Sequence, residues 1–106
     1  MSHYCRVRIS ATSVEEADTI SKTLVAKKLV AGTMIYNGKC HYWWKGEIVE
    51  RIYWNIGGFT IIENKEQIIA EVRKLHSDEC PIVAFNLVDG NQDFLDWIDE
   101  ACFKDT

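Results

Sequence analysis

Polar and apolar residues alternate from Tyr4 to Ser10, with Cys5, Val7 and Ile9 on one face and Tyr4, Arg6 and Arg8 on the other, which predicts a half-buried strand. The period then changes. Ser13 with Glu16 three residues on has the form of a capping box, and Ala17, Ile20, Leu24 and then Leu29 recur at helical spacing. The basic pair Lys27-Lys28 suits the C-terminal end of that helix. A second strand is expected from about Gly32 to Trp44, interrupted by a turn or bulge at Asn37-Gly38. Lys45-Gly46 is expected to be a tight hairpin turn. The partner strand runs from Glu47 to about Ile62 and places Ile48, Ile52, Trp54 and Ile56 on one face, with Glu50 breaking the pattern. Gly57-Gly58 inside it predicts a bulge or a close approach of backbone. Asn64 and Gln67 open a second helix with the apolar stripe Ile68, Ile69, Val72 and Leu75. Pro81 precedes a fourth strand, "IVAFNLV". Asn91 is expected to cap a last helix, with Asp93 in its first turn and Phe94, Leu95, Trp97, Ile98, Ala101 and Cys102 on one face.

The order is βαββαβ with an extra C-terminal helix. It predicts an α+β, ferredoxin-like sandwich in which a four-stranded antiparallel sheet carries the first two helices on one face. Residues 1–106 are expected to form a single domain, without repeats or linkers. A third strand of about 16 residues, at about 3.3 Å each, is on the order of 50 Å long. A domain of this size has a radius of gyration of about 13 Å. The long β-hairpin must therefore bend sharply or overhang the domain. It also carries "YWW" just before its turn, and alternate residues of a strand face opposite ways, so one of Trp43 and Trp44 looks away from any core. Tyr42, Trp43, Trp44, Tyr53 and Trp54 are accordingly expected at an interface with a second copy of the chain, the simplest cover for an exposed aromatic ribbon with open edges.

Composition narrows the function classes. The 106 residues are 47% hydrophobic and 26% charged, with a net charge of -4 and no basic stripe, which argues against nucleic-acid binding. No apolar stretch is long enough to span a bilayer, and "MSHYCRVRIS" has neither the basic nor the apolar part of a secretory signal, so the cytoplasm is the expected location. Cys5, Cys40, Cys80 and Cys102 are scattered and make no C-x-x-C pair, so neither a disulfide framework nor a zinc finger is predicted. G-x-S-x-G and a glycine-rich phosphate loop are absent, and "VDGNQD" lacks the ligand spacing of a calcium loop. No enzymatic activity is expected. Among soft metal ligands, Cys40 and His41 are neighbours on a strand and so point to opposite faces and cannot both hold one ion unless the chain bulges there, and His76 lies at a helix end.

The segments "LVAKKLVAGTMI", "YWWKGEI", "LHSDECPIVAFNLVDG" and "GNQDFLDWIDEA" together resemble the CutA divalent-cation tolerance proteins, in matching order over nearly the whole chain. The resemblance implies a ferredoxin-like fold, a tight homotrimer joined through the long hairpins, and an architecture similar to the PII signalling proteins. It implies a role in tolerance of copper and other divalent cations, with no firm cofactor. Cu2+ or another divalent cation would bind weakly, with His76 as the one family-like ligand position still filled by a suitable group. A small-molecule sensor or an interaction scaffold without a physiological metal is the alternative, with its ligand at the subunit clefts. The chain departs from the family pattern at Ile9-Ser10-Ala11, where a cysteine is usual, at Gly58-Phe59-Thr60, at Ile82 after Pro81, and at Arg51 and Tyr53, where acids are common.

Overall fold

The computed structural model describes residues 3–102. Strand β1 (Tyr4–Ala11) leads into helix α1 (Val14–Ala26), followed by β2 (Gly32–Trp44), β3 (Glu47–Ile61), a 3-10 turn (Ile62–Asn64), helix α2 (Lys65–Leu75), β4 (Ile82–Leu87) and helix α3 (Gln92–Cys102). All strand pairs are antiparallel, in the order β2-β3-β1-β4. The expected sandwich is therefore present over the described residues. Residues 1–2 and 103–106, which belong to the expected 1–106 domain, lie outside them.

The alternation of β1 sets the core. Val7, Ile9 and Ala11 are fully buried under α1 and α2, against Ala17, Ile20, Leu24, Ile68 and Val72, and Ile56 joins them from β3. α3 makes a smaller second cluster at one end of the sheet: Leu95, Ile98 and Cys102 pack with Ile61, and Phe94 meets Phe59 edge-on at 4.9 Å. The departure at Phe59 thus supplies an aromatic seat for α3.

Helix ends follow local chemistry. The Ser13 side chain caps α1 by accepting from the Glu16 N–H at 3.1 Å. α1 stops at Ala26, one residue before the lysine pair, and Leu29 lies beyond it. Lys28 turns into the left-handed region (φ 58), its N–H bonds to Val25 O, and the Leu29 N–H bonds to Leu24 O. This is a Schellman closure with lysine where glycine is usual, and it brings Leu29 back onto the core beside Leu24. Asn64 precedes α2 as expected but does not cap it; its side-chain amide donates to Leu29 O at 3.2 Å. Just before α3, the Asn91 side-chain amide donates to the Asp93 carboxylate in the first turn.

The hairpin is unbroken. β2 and β3 pair in one constant register from Gly32↔Phe59 to Trp44↔Glu47, so the bulge expected at Asn37-Gly38 is absent. Gly57-Gly58 makes no bulge either. It serves the close approach, because a Cβ on Gly58 would stand 3.0 Å from Gly32 O. Lys45 (φ 50) and Gly46 (φ 82) form a two-residue turn with both residues left-handed, the twist-matched kind for a hairpin. β1 pairs with β3 only as far as Trp54, so Gly38–Trp44 and Glu47–Tyr53 pair with each other alone. That overhang gives the molecule its 44 Å long axis, against 24 and 21 Å across.

Candidate functional site

A short segment, residues 76–81, leaves α2 and leans along the overhang before entering β4. Its start is anchored deep. The His76 side chain is only 1% exposed. Its Nε2 lies 2.5 Å from Ser10 O, and because a carbonyl can only accept, Nε2 carries the proton. Nδ1 in turn accepts the Asp78 N–H at 3.0 Å. Glu16 holds the next residue. Its carboxylate takes the N–H groups of Thr12 and Ser77, each at 2.7 Å, and the Thr12 hydroxyl at 2.9 Å. Burial works to raise the Glu16 carboxyl, and these donors overcome it, holding the group down at about 2. So the acid read as half of a capping box reaches past its own helix start and ties α1, the end of β1 and the 76–81 segment together.

On the sheet face away from α1 and α2, the overhang and this segment enclose a cavity of about 650 Å³, lined among others by Arg8, Tyr42, Trp44, Arg51, Asp78 and Cys80. Tyr42 and Tyr53 touch through their hydroxyls at 3.1 Å, and the Tyr53 hydroxyl reaches Asp78 at 3.3 Å. The Arg51 guanidinium stacks over the Tyr53 ring at 4.9 Å and stands 3.9 Å from the Asp78 carboxylate. Burial, the Tyr42 hydroxyl and the Asp78 charge push the Tyr53 hydroxyl well above its ordinary value, against the pull of Arg51. At the tip, Lys45 pairs with Glu79 at 2.8 Å and lies over the Trp44 ring.

The five aromatics expected at an interface are thus in different surroundings. Trp43 is 71% exposed on the helix-side face, beside Ile48 (66%) and Ile52 (59%), and Trp44 is 40% exposed on the opposite face, and both also border the cavity. Tyr42 and Tyr53 line the cavity, Tyr53 being only 9% exposed, and Trp54 packs against the main core. Cys40 and His41 do part to opposite faces: Cys40 lines the cavity, while His41 lies 3.6 Å from Glu50 on the helix side. His76 has both ring nitrogens bonded to backbone groups, so ligation of a cation there would displace the Asp78 N–H. Among the described residues no three His, Cys, Asp or Glu side chains stand together as a ready ligand set, and all four cysteines are free thiols. Ser10 and Ile82, two of the departures, border the cavity, and Ser10 bonds to Asn55 at 3.0 Å beneath it. Glu16, Arg51 and Asp78 were not singled out as a site from sequence. Only the unusual Arg51 and Tyr53 after the hairpin turn gave a signal there.

A four-stranded antiparallel sheet with two helices on one face, a projecting two-stranded ribbon and a third helix across the sheet end defines a ferredoxin-like α+β protein. The family model described as CutA1 divalent ion tolerance protein matches residues 5–101. The chain belongs to this family. It is 38% identical over 96 residues to the divalent-cation tolerance protein CutA of Archaeoglobus fulgidus, covering 90% of this chain and 94% of that protein. The CutA of Thermus thermophilus is 35% identical over 96 residues, covering 89% and 93%. The solved structure of the periplasmic divalent cation tolerance protein CutA from A. fulgidus superposes with a TM-score of 0.90 at 34% identity, over 93% of this chain and 98% of that one. That of the T. thermophilus protein does so with a TM-score of 0.89 at 30% identity, over 92% and 97%.

Proposed function

We propose that this chain serves divalent-cation tolerance as a homotrimer assembled through its overhanging hairpin. The observation that carries the proposal is the ridge of Trp43, Ile48 and Ile52, three large apolar side chains left exposed on the overhanging ribbon by the described residues. Burying such a ridge contributes about 25 cal/mol per Å² before the costs of association. A cyclic assembly also covers the free edges of β2 and β4, which a lone sheet leaves open. Cu2+ or another divalent cation would bind weakly at clefts between subunits, where side chains from two chains complete a ligand set. Sedimentation equilibrium at low micromolar concentration tests the assembly: a trimer is expected, with Trp43→Ala and Trp44→Ala raising the concentration at which it dissociates. A monodisperse monomer near 12.2 kDa would overturn it. Titration with Cu2+ and Zn2+, repeated on His76→Ala, tests the cation: binding that the substitution leaves untouched removes His76 from the ligand set.

The cavity favours a second reading. A space of about 650 Å³ walled by aromatic rings and a few charged groups has the dimensions of a small-molecule site. On this reading the protein senses a small ligand and needs no metal to do so.

A further inference from the structure

We propose that the cavity on the open sheet face takes a small acid with a flat apolar body, whose carboxylate or phosphate displaces Asp78 from Arg51 and Tyr53. The inference rests on the small-ligand reading and specifies its chemistry. Asp78 is a poor partner for the groups it faces. It stands 3.9 Å from the Arg51 guanidinium, beyond hydrogen-bond range, and 3.3 Å from the Tyr53 hydroxyl, whereas charge-assisted bonds of this type close to about 2.7–2.9 Å. Its backbone is pinned by the bond from its N–H to His76, so the carboxylate can swing aside while the segment stays in place.

The charges lining the cavity point the same way. Arg8 and Arg51 face two acids, Asp78 and Glu79, and Glu79 is already paired with Lys45 at 2.8 Å. Arg8 has no carboxylate partner among the described residues. Once Asp78 moves away, two guanidinium groups and the linked Tyr42 and Tyr53 hydroxyls remain as donors with no internal acceptor of negative charge. A cation would meet these same arginines and gain nothing from Glu79. The rings of Tyr42 and Trp44 supply apolar walls that suit a flat body.

The experiment is amide-shift titration of the full-length 15N-labelled protein with benzoate, phenyl phosphate, benzamide and benzylammonium. Saturable shifts at residues 77–80 and Tyr53 are expected with benzoate or phenyl phosphate, and the tighter of the two identifies the acid group. Benzamide and benzylammonium should bind about tenfold more weakly or worse, the loss of one strong charged contact. Asp78→Asn should tighten benzoate about fivefold, because it removes an internal competitor and enlarges the competent population. Arg51→Gln should weaken it about tenfold, and Tyr53→Phe, which keeps the ring packing, should weaken it less. Benzamide binding as well as benzoate, or Asp78→Asn leaving affinity unchanged or reduced, would overturn the inference while keeping a small-ligand site. No saturable shift with any of the four probes would overturn both.

Discussion

Ile52 and Ile56 lie four residues apart on the same face of β3, yet Ile56 is fully buried and Ile52 is 59% exposed. The strand, the face and the side chain are the same; what differs is the layer above. At the base of the sheet α1 and α2 cover the face, and beyond Trp54 neither helix does. A period of two tells which face a residue takes, and only the length of the covering helices tells whether that face is dry. The base holds the chain's own core, and the overhang leaves large apolar side chains exposed.

The sharpest way to break this comparison is to truncate both isoleucines. Ile56→Ala should cost about 2–5 kcal/mol, as large-to-small changes in a filled core do, and lower the denaturant midpoint at every protein concentration. Ile52→Ala should leave unfolding of the separated subunit within about 0.5 kcal/mol of the parent and act on assembly alone, so its effect on the midpoint should depend on protein concentration. Equal losses at both positions would mean that the overhang is part of the subunit core.

A smaller effect is expected where the base is tied to the 76–81 segment. The Glu16 carboxyl is lowered to about 2 in the folded chain, so its contribution is fully present above the ordinary value of 4.5 and is lost as pH falls through 2. Glu16→Ala should remove about 2 kcal/mol at pH 7, and the difference from the parent should shrink over that acid window, as followed by denaturation at stepped pH. The smallest effect belongs to the far end of the sheet. There His3 bridges Glu63 and Asp99, both at 3.0 Å, and the Tyr4 hydroxyl also bonds to Asp99. Its hydrogen bond to Glu63 raises the His3 imidazole despite partial desolvation, with Asp99 adding to the effect. The stabilisation is therefore present below 6.5 and fades as pH rises through the raised value. His3→Gln should cost less than about 1 kcal/mol at pH 6, because all three groups are partly exposed and screened, and less still at pH 9.

Much of the fold was legible because period and capping are local. The buried face of β1, the turn at Lys45-Gly46 and the stripes of the helices needed no knowledge of distant chain. Asn37-Gly38 misled for a physical reason. The dipeptide favours a turn when a chain is free to reverse, and here both residues are held in register against Trp54 and Tyr53 of the partner strand. Leu29 kept helical spacing although a left-handed Lys28 had already ended the helix, because the Schellman closure folds it onto the same core. The surroundings of His76 were illegible from its neighbours. Its ring is buried by Ser10 and Glu16, more than 50 residues away in sequence, so the helix end could be placed and the engagement of both ring nitrogens by backbone groups could not.

The constant register of the hairpin also limits how such a chain can change through descent. Every residue from Gly32 to Trp44 faces a fixed counterpart in β3, with no bulge to absorb a misfit. One inserted codon in either strand would turn every side chain beyond it to the opposite face, sending Trp43 where Trp44 now points and unseating the cavity wall. Lengthening by two residues in one strand would keep the faces but shift the pairing past the turn. Only insertions or deletions matched in both arms preserve the ribbon, so its length should vary among descendants in symmetric steps while the two-residue turn stays the same size.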